Sequence, residues 1–236
     1  MVPRVDVGEI VGLGAAGDLL DIIEPSLHRI DAACPVYDRC PGCTVRHLAP
    51  RRRGALLMAA HAEVLRREAG VDVPWRLLVA PGGDGLRARA VARAMRDDAG
   101  RFVLAMGARV GEPIVLGECP VQTPLCRDLL TAAVRDLRRI DAQPYEPETR
   151  TGELRHVVVE TALTPPLVVL AFGRPVHEAR FDGVLADRPD VSVLYDTLPL
   201  RGAGTLRAPA ARQGSASGWL NVDGDRLRAT LPAWVP

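Results

Sequence analysis

Fourteen residues, Cys34-Pro35-Val36-Tyr37-Asp38-Arg39-Cys40-Pro41-Gly42-Cys43-Thr44-Val45-Arg46-His47, constrain this chain more than any other stretch. Three thiols spaced C-x5-C-x2-C fall within ten residues, and the turn-forming pair Pro41-Gly42 sits between the last two. Cys119 lies far downstream and, like Cys34, is followed by proline. Such a loop can fold back so that several sulfurs converge on one inorganic centre. Four thiolates from one chain suit tetrahedral zinc or a cubane iron–sulfur cluster. Structural zinc usually draws its ligands as two C-x2-C-like pairs, whereas a triple plus a remote single is the commoner grouping for a 4Fe–4S site. On spacing alone, iron–sulfur, zinc and simply reduced buried cysteines all stay open. Cys126 differs, because in the helix expected around it the thiol falls beside Leu129 and Leu130 and reads as a core residue.

With 236 residues and 47% hydrophobic content, the chain is long enough for one large or two small domains with a real core. The net charge of +1 hides an uneven distribution. Residues 1–43 hold three Arg against seven Asp and Glu, while residues 44–101 hold twelve Arg against six acids. A basic middle beside a cysteine loop fits contact with a polyanion or, more blandly, a solvated face. No lysine occurs, which accords with an Arg- and Ala-rich coding bias more than with selection for guanidinium chemistry. The N-terminus lacks the charged and apolar regions of a signal peptide, and no apolar run approaches the roughly 18 residues of a membrane span. Five unevenly spaced cysteines then argue for ligation over a disulfide frame, in a cytoplasmic protein.

Along the chain, residues 1–25 read as a short arm or hairpin, with Ile10-Val11 and Leu19 to Ile23 broken by Gly12, Gly14 and Gly17. Arg53 to Ala69 is helical in pattern, with Leu56, Leu57, Ala60, Val64 and Leu65 as its apolar stripe and Gly70 as its stop. Strands are expected at Trp75 to Ala80, over 86–96, at Arg101 to Gly107 and at Pro113 to Leu116, with a turn over Pro81 to Gly85. Within 86–96, Arg87-Ala-Arg-Ala-Val-Ala-Arg alternates Arg with small apolar residues, as a strand with one basic face does. Thr123 caps a second helix running to Ile140, and Pro124 suits its first turn. Leu154 to Leu163, Leu167 to Phe172, Asp190 to Tyr195 and Leu198 to Leu206 complete the strands, and residues 207–218 read as a linker. The expectation is an α+β fold: a mainly antiparallel sheet and two main helices around a cysteine-ligated cluster loop. Residues 1–25 form the arm, 26–206 the central domain and 207–236 a linker and tail.

At these residues the chain resembles the RNA uracil-C5 methyltransferases that form 5-methyluridine in tRNA and 23S rRNA. Members of that family with a 4Fe–4S cluster carry Glu-Pro-Ser-x-x-Arg ahead of a C-x5-C-Gly-Gly-Cys loop. This chain has Glu24-Pro25-Ser26-Leu27-His28-Arg29, then Cys34, Cys40, Pro41, Gly42 and Cys43. The family's Gln-His after the loop is matched by Arg46-His47, its Tyr-Arg-Asn-Arg/Lys-Ala strand by Leu86-Arg87-Ala88-Arg89-Ala90, its Cys-Pro ligand by Cys119-Pro120, and its Gly-x-Leu-Arg-His strand by Gly152-Glu153-Leu154-Arg155-His156. The resemblance implies a 4Fe–4S cluster on Cys34, Cys40, Cys43 and Cys119. It also implies an RNA surface at Arg46, His47, Arg87, Arg89, Arg155 and His156.

Three departures qualify the likeness. About twenty residues precede the matching segment, where the family commonly has a small RNA-binding β-barrel. The Phe-Phe-Gln-Val-Asn segment that opens the family's S-adenosylmethionine domain is matched only by Trp219-Leu220-Asn221-Val222-Asp223. No cofactor loop or nucleophilic cysteine of the family is matched, and Gly12-x-Gly14-x-x-Gly17 has no strand before it. The expectation is therefore a cluster-bearing RNA-binding module for tRNA or rRNA, without its own S-adenosylmethionine site and not catalytic alone. The alternative is one subunit of a split methyltransferase whose S-adenosylmethionine domain is a separate polypeptide.

Overall fold

Strand alternation and two capped helices decide the architecture. The computed structural model describes residues 4–72, 74, 84–107, 111–197, 210–213, 217–222 and 225–230. The chain divides into two units, Met1–Gly83 and Asp84–Pro236. That division falls inside the 26–206 span read from sequence as one domain.

The first unit opens with an antiparallel hairpin, β1 (Ile10–Leu13) and β2 (Leu19–Glu24). The glycines between its strands make the turn: Gly14 N–H donates to Asp18 O at 2.8 Å, and Gly17 has φ +79°. That conformation favours glycine. The glycine-rich stretch is thus a turn and not a phosphate loop. The cysteine loop follows and leads into α1 (Pro50–Ala69). Pro50 stands in the first turn, where its missing N–H costs nothing. Gly70, left-handed at φ 64°, ends the helix by donating to Arg66 O. Unlike the usual amphipathic helix, α1 has no buried residue, and its apolar stripe leaves Leu57, Val64 and Leu65 exposed.

The second unit holds a seven-stranded sheet in the order β5-β4-β3-β6-β7-β8-β9. Its strands are β3 (Arg89–Arg96), β4 (Phe102–Met106), β5 (Ile114–Val115), β6 (Leu154–Glu160), β7 (Leu167–Phe172), β8 (Ser192–Thr197) and β9 (Ala210–Gln213). The alternating Arg/Ala run is a strand, although both residue types favour helix. Ala90, Ala92 and Ala94 are buried, while Arg89, Val91 and Arg93 point the other way and are exposed. Half-burial of a pleated surface overrides intrinsic propensity here.

α2 (Pro124–Arg139) packs with those alanines, and their small size admits Leu129, Leu130 and Leu137, all fully buried. Each leucine contributes roughly 1.5–3 kcal/mol by leaving water. Thr123 caps the helix as expected, its hydroxyl accepting from Cys126 N–H at 3.2 Å.

Two expectations need correction. The sheet is mixed, because β7 and β8 pair in parallel while its other pairings are antiparallel. A parallel pair cannot be joined by a hairpin, and residues 173–191, with a 3-10 turn at Glu178–Phe181, make the crossover. The segment read as a linker contributes β9 to the sheet edge, and β10 (Ser217–Val222) and β11 (Asp225–Thr230) form a further hairpin. The strands expected at Trp75 to Ala80 and Leu198 to Leu206 lie outside the described residues. No described helix is long and apolar enough to cross a membrane.

Candidate metal centre and nucleic-acid interface

A polar frame positions the cysteine loop. Ser26 and Arg29, the fixed points of the Glu-Pro-Ser-x-x-Arg stretch, reach back to two carboxylates. Arg29 donates from Nε and Nη2 to Glu9 at 2.8 and 2.6 Å, and Ser26 Oγ donates to Asp6 at 2.8 Å. Arg52 of α1 grips Asp6 from the other side at 2.9 Å. The Arg29 fork holds Glu9 far below the ordinary carboxylate range, at about 2. Burial works to raise Asp6, but the bonds from Arg52 and Ser26 outweigh it and keep its carboxyl low. Sequence reading missed Arg4, Asp6 and Glu9. The acidic excess of residues 1–43 was their only trace.

Within the loop, Cys40 N–H donates to Val36 O at 2.8 Å and Tyr37 N–H to Cys34 O at 3.0 Å. These are tight turns that hold the thiol-bearing residues on a short arc. Gly42 N–H points at Cys40 Sγ at 3.4 Å. Arg4 stacks over the Tyr37 ring, 4.6 Å from its centroid, and donates to the Tyr37 carbonyl.

Arg46 and His47 are both buried. Arg46 Nε reaches Ala32 O at 3.4 Å, and His47 Nδ1 meets Tyr37 Oη at 2.8 Å. Tyr37 Oη also accepts from His47 N–H at 3.4 Å, so the ring and the backbone of His47 both meet the phenol oxygen. The buried Nε2 of the ring has no hydrogen-bond partner. Burial and the Arg29 charge keep the imidazole pKa below its usual value, hence neutral at pH 7.

Cys119 belongs to the second unit, at the end of a 3-10 turn (Leu116–Glu118) and four residues before the α2 cap. Its loop is clamped to the approach of β3: Gly85 N–H donates to Pro120 O, Arg87 N–H to Val121 O, and Thr123 N–H to Arg87 O, all within 3.0 Å. The adjoining Gln122 is buried with an unpartnered Oε1.

Donor chemistry and donor geometry diverge at these thiols. Cys34, Cys40, Cys43 and Cys119 are half-buried and not in disulfides, and the loop offers an N–H to sulfur and an unpartnered imidazole nitrogen. Yet among the described residues no three Cys, His, Asp or Glu side chains are grouped to hold a metal ion. Cys126 is fully buried, and burial pushes its thiol up to about 11, so it is an inert core residue.

Of the remaining RNA candidates, Arg87 and Arg89 are exposed at the start of β3, while Arg155 and His156 on β6 are half-buried. Arg89 faces Glu160 in register, and His156 faces Arg93. Burial, with the Arg155 and Arg93 charges, lowers the His156 imidazole to about 4, so it is neutral at physiological pH. Arg93 lies in the alternating run but was not singled out from sequence.

No protein-family model matches the chain. An RNA methyltransferase of Synechocystis sp., itself described as uncharacterized, is 30% identical over 146 residues, covering 61% of this chain and 32% of that protein. The 23S rRNA (uracil(1939)-C(5))-methyltransferase of Pectobacterium atrosepticum is 28% identical over 177 residues, 73% of this chain and 37% of that protein. The fold matches a solved structure, the Pyrococcus abyssi tRNA (uracil-54, C5)-methyltransferase in complex with S-adenosyl-L-homocysteine. The TM-score is 0.60 at 16% identity, over 97% of this chain and 54% of that one. The chain thus spans about a third of the length of the first of these relatives and about half of the solved structure. The resemblance read from the motifs is borne out: the homologues are RNA methyltransferases, uracil-C5 enzymes of 23S rRNA among them, and this chain corresponds to part of each.

Proposed function

We propose that this relative of the RNA uracil-C5 methyltransferases is the cysteine-ligated, RNA-holding part of an RNA-modifying protein. Cys34, Cys40, Cys43 and Cys119 would hold a 4Fe–4S cluster. The cluster would supply a rigid junction for a loop with little core of its own, and an electron-accepting centre. The observation that carries the reading is the likeness to RNA methyltransferases over 61–73% of this chain. The half-buried thiols and the N–H directed at Cys40 Sγ support the ligand set.

RNA contact is assigned to the exposed arginines of the second unit, with Arg87 and Arg89 on phosphates and base edges. Arg155 and His156 lie on the neighbouring strand, and a neutral His156 would stack on or bond to an unpaired base. Arg46 and His47 serve from behind, holding the loop in shape. Methyl transfer to uracil C5, the reaction named for the relatives, needs a bound S-adenosylmethionine and a nucleophile. It enters the proposal as the work of a domain joined to this one, in the same or another polypeptide.

Anaerobic purification with iron and sulfide analysis tests the cluster: four irons and four sulfides per chain are expected, and zinc alone would overturn that assignment. Binding of tRNA or rRNA fragments should fall steeply with added salt; salt-insensitive or absent binding would overturn the RNA assignment.

A further inference from the structure

A groove of about 580 Å³ lies in the second unit, between the end of β3 and the loop 143–152. Its lining includes Arg93, Met95, Arg96, Pro144, Glu146 and Thr151. Ala90, Ala92 and Ala94 face α2, so alternation puts Arg93 and Met95 on the opposite face of the sheet. The volume is that of a small-molecule site. None of the RNA candidates named above lines it.

The two guanidiniums differ in a useful way. Arg96 is anchored, its Nη1 donating to Gly100 O at 2.8 Å and its Nη2 to Gln143 Oε1 at 2.7 Å. Gln143 is itself held, its Nε2 donating to Asp141 O at 2.9 Å. A guanidinium has five N–H donors, so Arg96 keeps unspent donors in a fixed orientation. Arg93 is loosely engaged: its ion pair with Glu146, the one it makes among the described residues, is 3.9 Å long, and both side chains are about half exposed. One anchored and one loosely paired guanidinium suit a clamp for a phosphate. Met95, half-buried in the lining, offers an apolar surface that a base can cover. Glu146 would be a poor neighbour for a bare anion. It suits a ligand with hydroxyls beside its phosphate, because a carboxylate accepts from a ribose 2′-OH.

We propose that this groove takes one unpaired ribonucleotide of an RNA strand. Arg93 and Arg96 hold its phosphate, Met95 underlies its base, and Glu146 accepts from its ribose. The inference rests on the RNA reading above and names where on the protein the strand is gripped.

The test uses the full chain and a fluorescein-labelled six-nucleotide oligouridylate, its deoxy counterpart and a duplex of equal length. Binding is followed by anisotropy across a salt series. Arg93→Ala should weaken oligouridylate binding roughly tenfold and reduce the salt slope by about one, and Arg93→Lys should recover part of both. The ribose strand should bind more tightly than the deoxy strand, and Glu146→Ala should erase that preference. Arg93 and Glu146 are surface residues, so neither change threatens the fold. If the unaltered chain binds RNA with a normal salt slope and Arg93→Ala does the same, the groove assignment fails while the RNA reading stands. Equal binding of the duplex would also overturn the groove. No salt-dependent binding by the unaltered chain would overturn both.

Discussion

The two units solve the problem of staying folded by different means. Among the described residues, the first buries two apolar side chains, Tyr37 and Leu48; every other buried apolar side chain lies in the second. In place of a core, the first unit has a polar frame in which Asp6 and Glu9, their side chains fully inaccessible, are gripped by Arg52 and Arg29. Its helix buries nothing, whereas α2 buries six residues against the sheet. Ion pairs position a chain but contribute little net free energy once desolvation is counted. A small unit without a core therefore needs a staple, and disulfides or metals are the usual ones. The contrast teaches that the cysteine loop is where the first unit must find its stability.

On the proposed cluster assignment, removing the metal is the experiment with the largest expected effect. Stripping the cluster with chelator under oxidising conditions, or replacing Cys40 by Ser, should abolish hydrogen-exchange protection across residues 26–72. The amides of α2 and β6 should stay protected. Binding energy at such sites is folding energy, so the loss should be complete and not graded. Unchanged exchange in the first unit after metal loss would break the comparison, since the polar frame would then suffice alone.

The second unit should respond to packing instead. Leu130→Ala removes a fully buried side chain from beneath the sheet and should cost roughly 2–5 kcal/mol in urea unfolding. A cost near zero would mean that the alanine-lined face of β3 is not a close-packed core.

What sequence revealed follows the same division. α2 was legible because the cap, the proline and an apolar stripe at Leu129, Leu130, Val134 and Leu137 all agree, and the structure buries the three leucines with Val134 partly buried beside them. β3 was legible from its strict alternation, even though Ala and Arg prefer helices. The parallel β7–β8 pair was not, because period-2 patterning identifies a strand and says nothing of its partner's direction. β9 was missed because Ala210-Ala-Arg-Gln has turn-like neighbours and little β character. At the site, cysteine spacing pointed to ligands, but burial of Arg46 and His47 depends on a frame assembled from residues 4–9. No local pattern joins Glu9 to Arg29. Arg93 went unnamed because its distinction, a long and loose ion pair, exists only in the folded chain.

Acid probes the polar frame at intermediate size. Glu9 sits at about 2 in the folded protein against an ordinary 4.5. A carboxylate whose folded pKa is depressed stabilises fully above its unfolded value and loses that contribution as pH falls through the folded one. The first unit should therefore weaken between about pH 4.5 and 2. Glu9→Gln should reduce that dependence, leaving the share carried by Asp6, and cost roughly 2 kcal/mol at pH 7. Exchange rates in residues 26–49, measured across that pH window, check both; an unaltered pH profile in Glu9→Gln would show that another group carries the acid sensitivity.

The smallest effect separates the two helices by their first turns. α1 starts at Ala49 with no side-chain cap, whereas the Thr123 hydroxyl accepts from Cys126 N–H and also meets Thr161 Oγ1 at 3.0 Å. Thr123→Ala leaves an N–H unsatisfied at the base of a buried helix and should cost about 1 kcal/mol. Thr123→Ser keeps the hydroxyl and should recover most of it. Because Thr123 N–H also clamps the Cys119 loop to Arg87 O through the backbone alone, the alanine variant should weaken α2 without loosening that loop. Exchange at the Cys126 amide should rise while exchange at the Thr123 amide holds. Equal loosening of both would mean that the cap and the Cys119 loop open as one piece, under the control of the second unit's core.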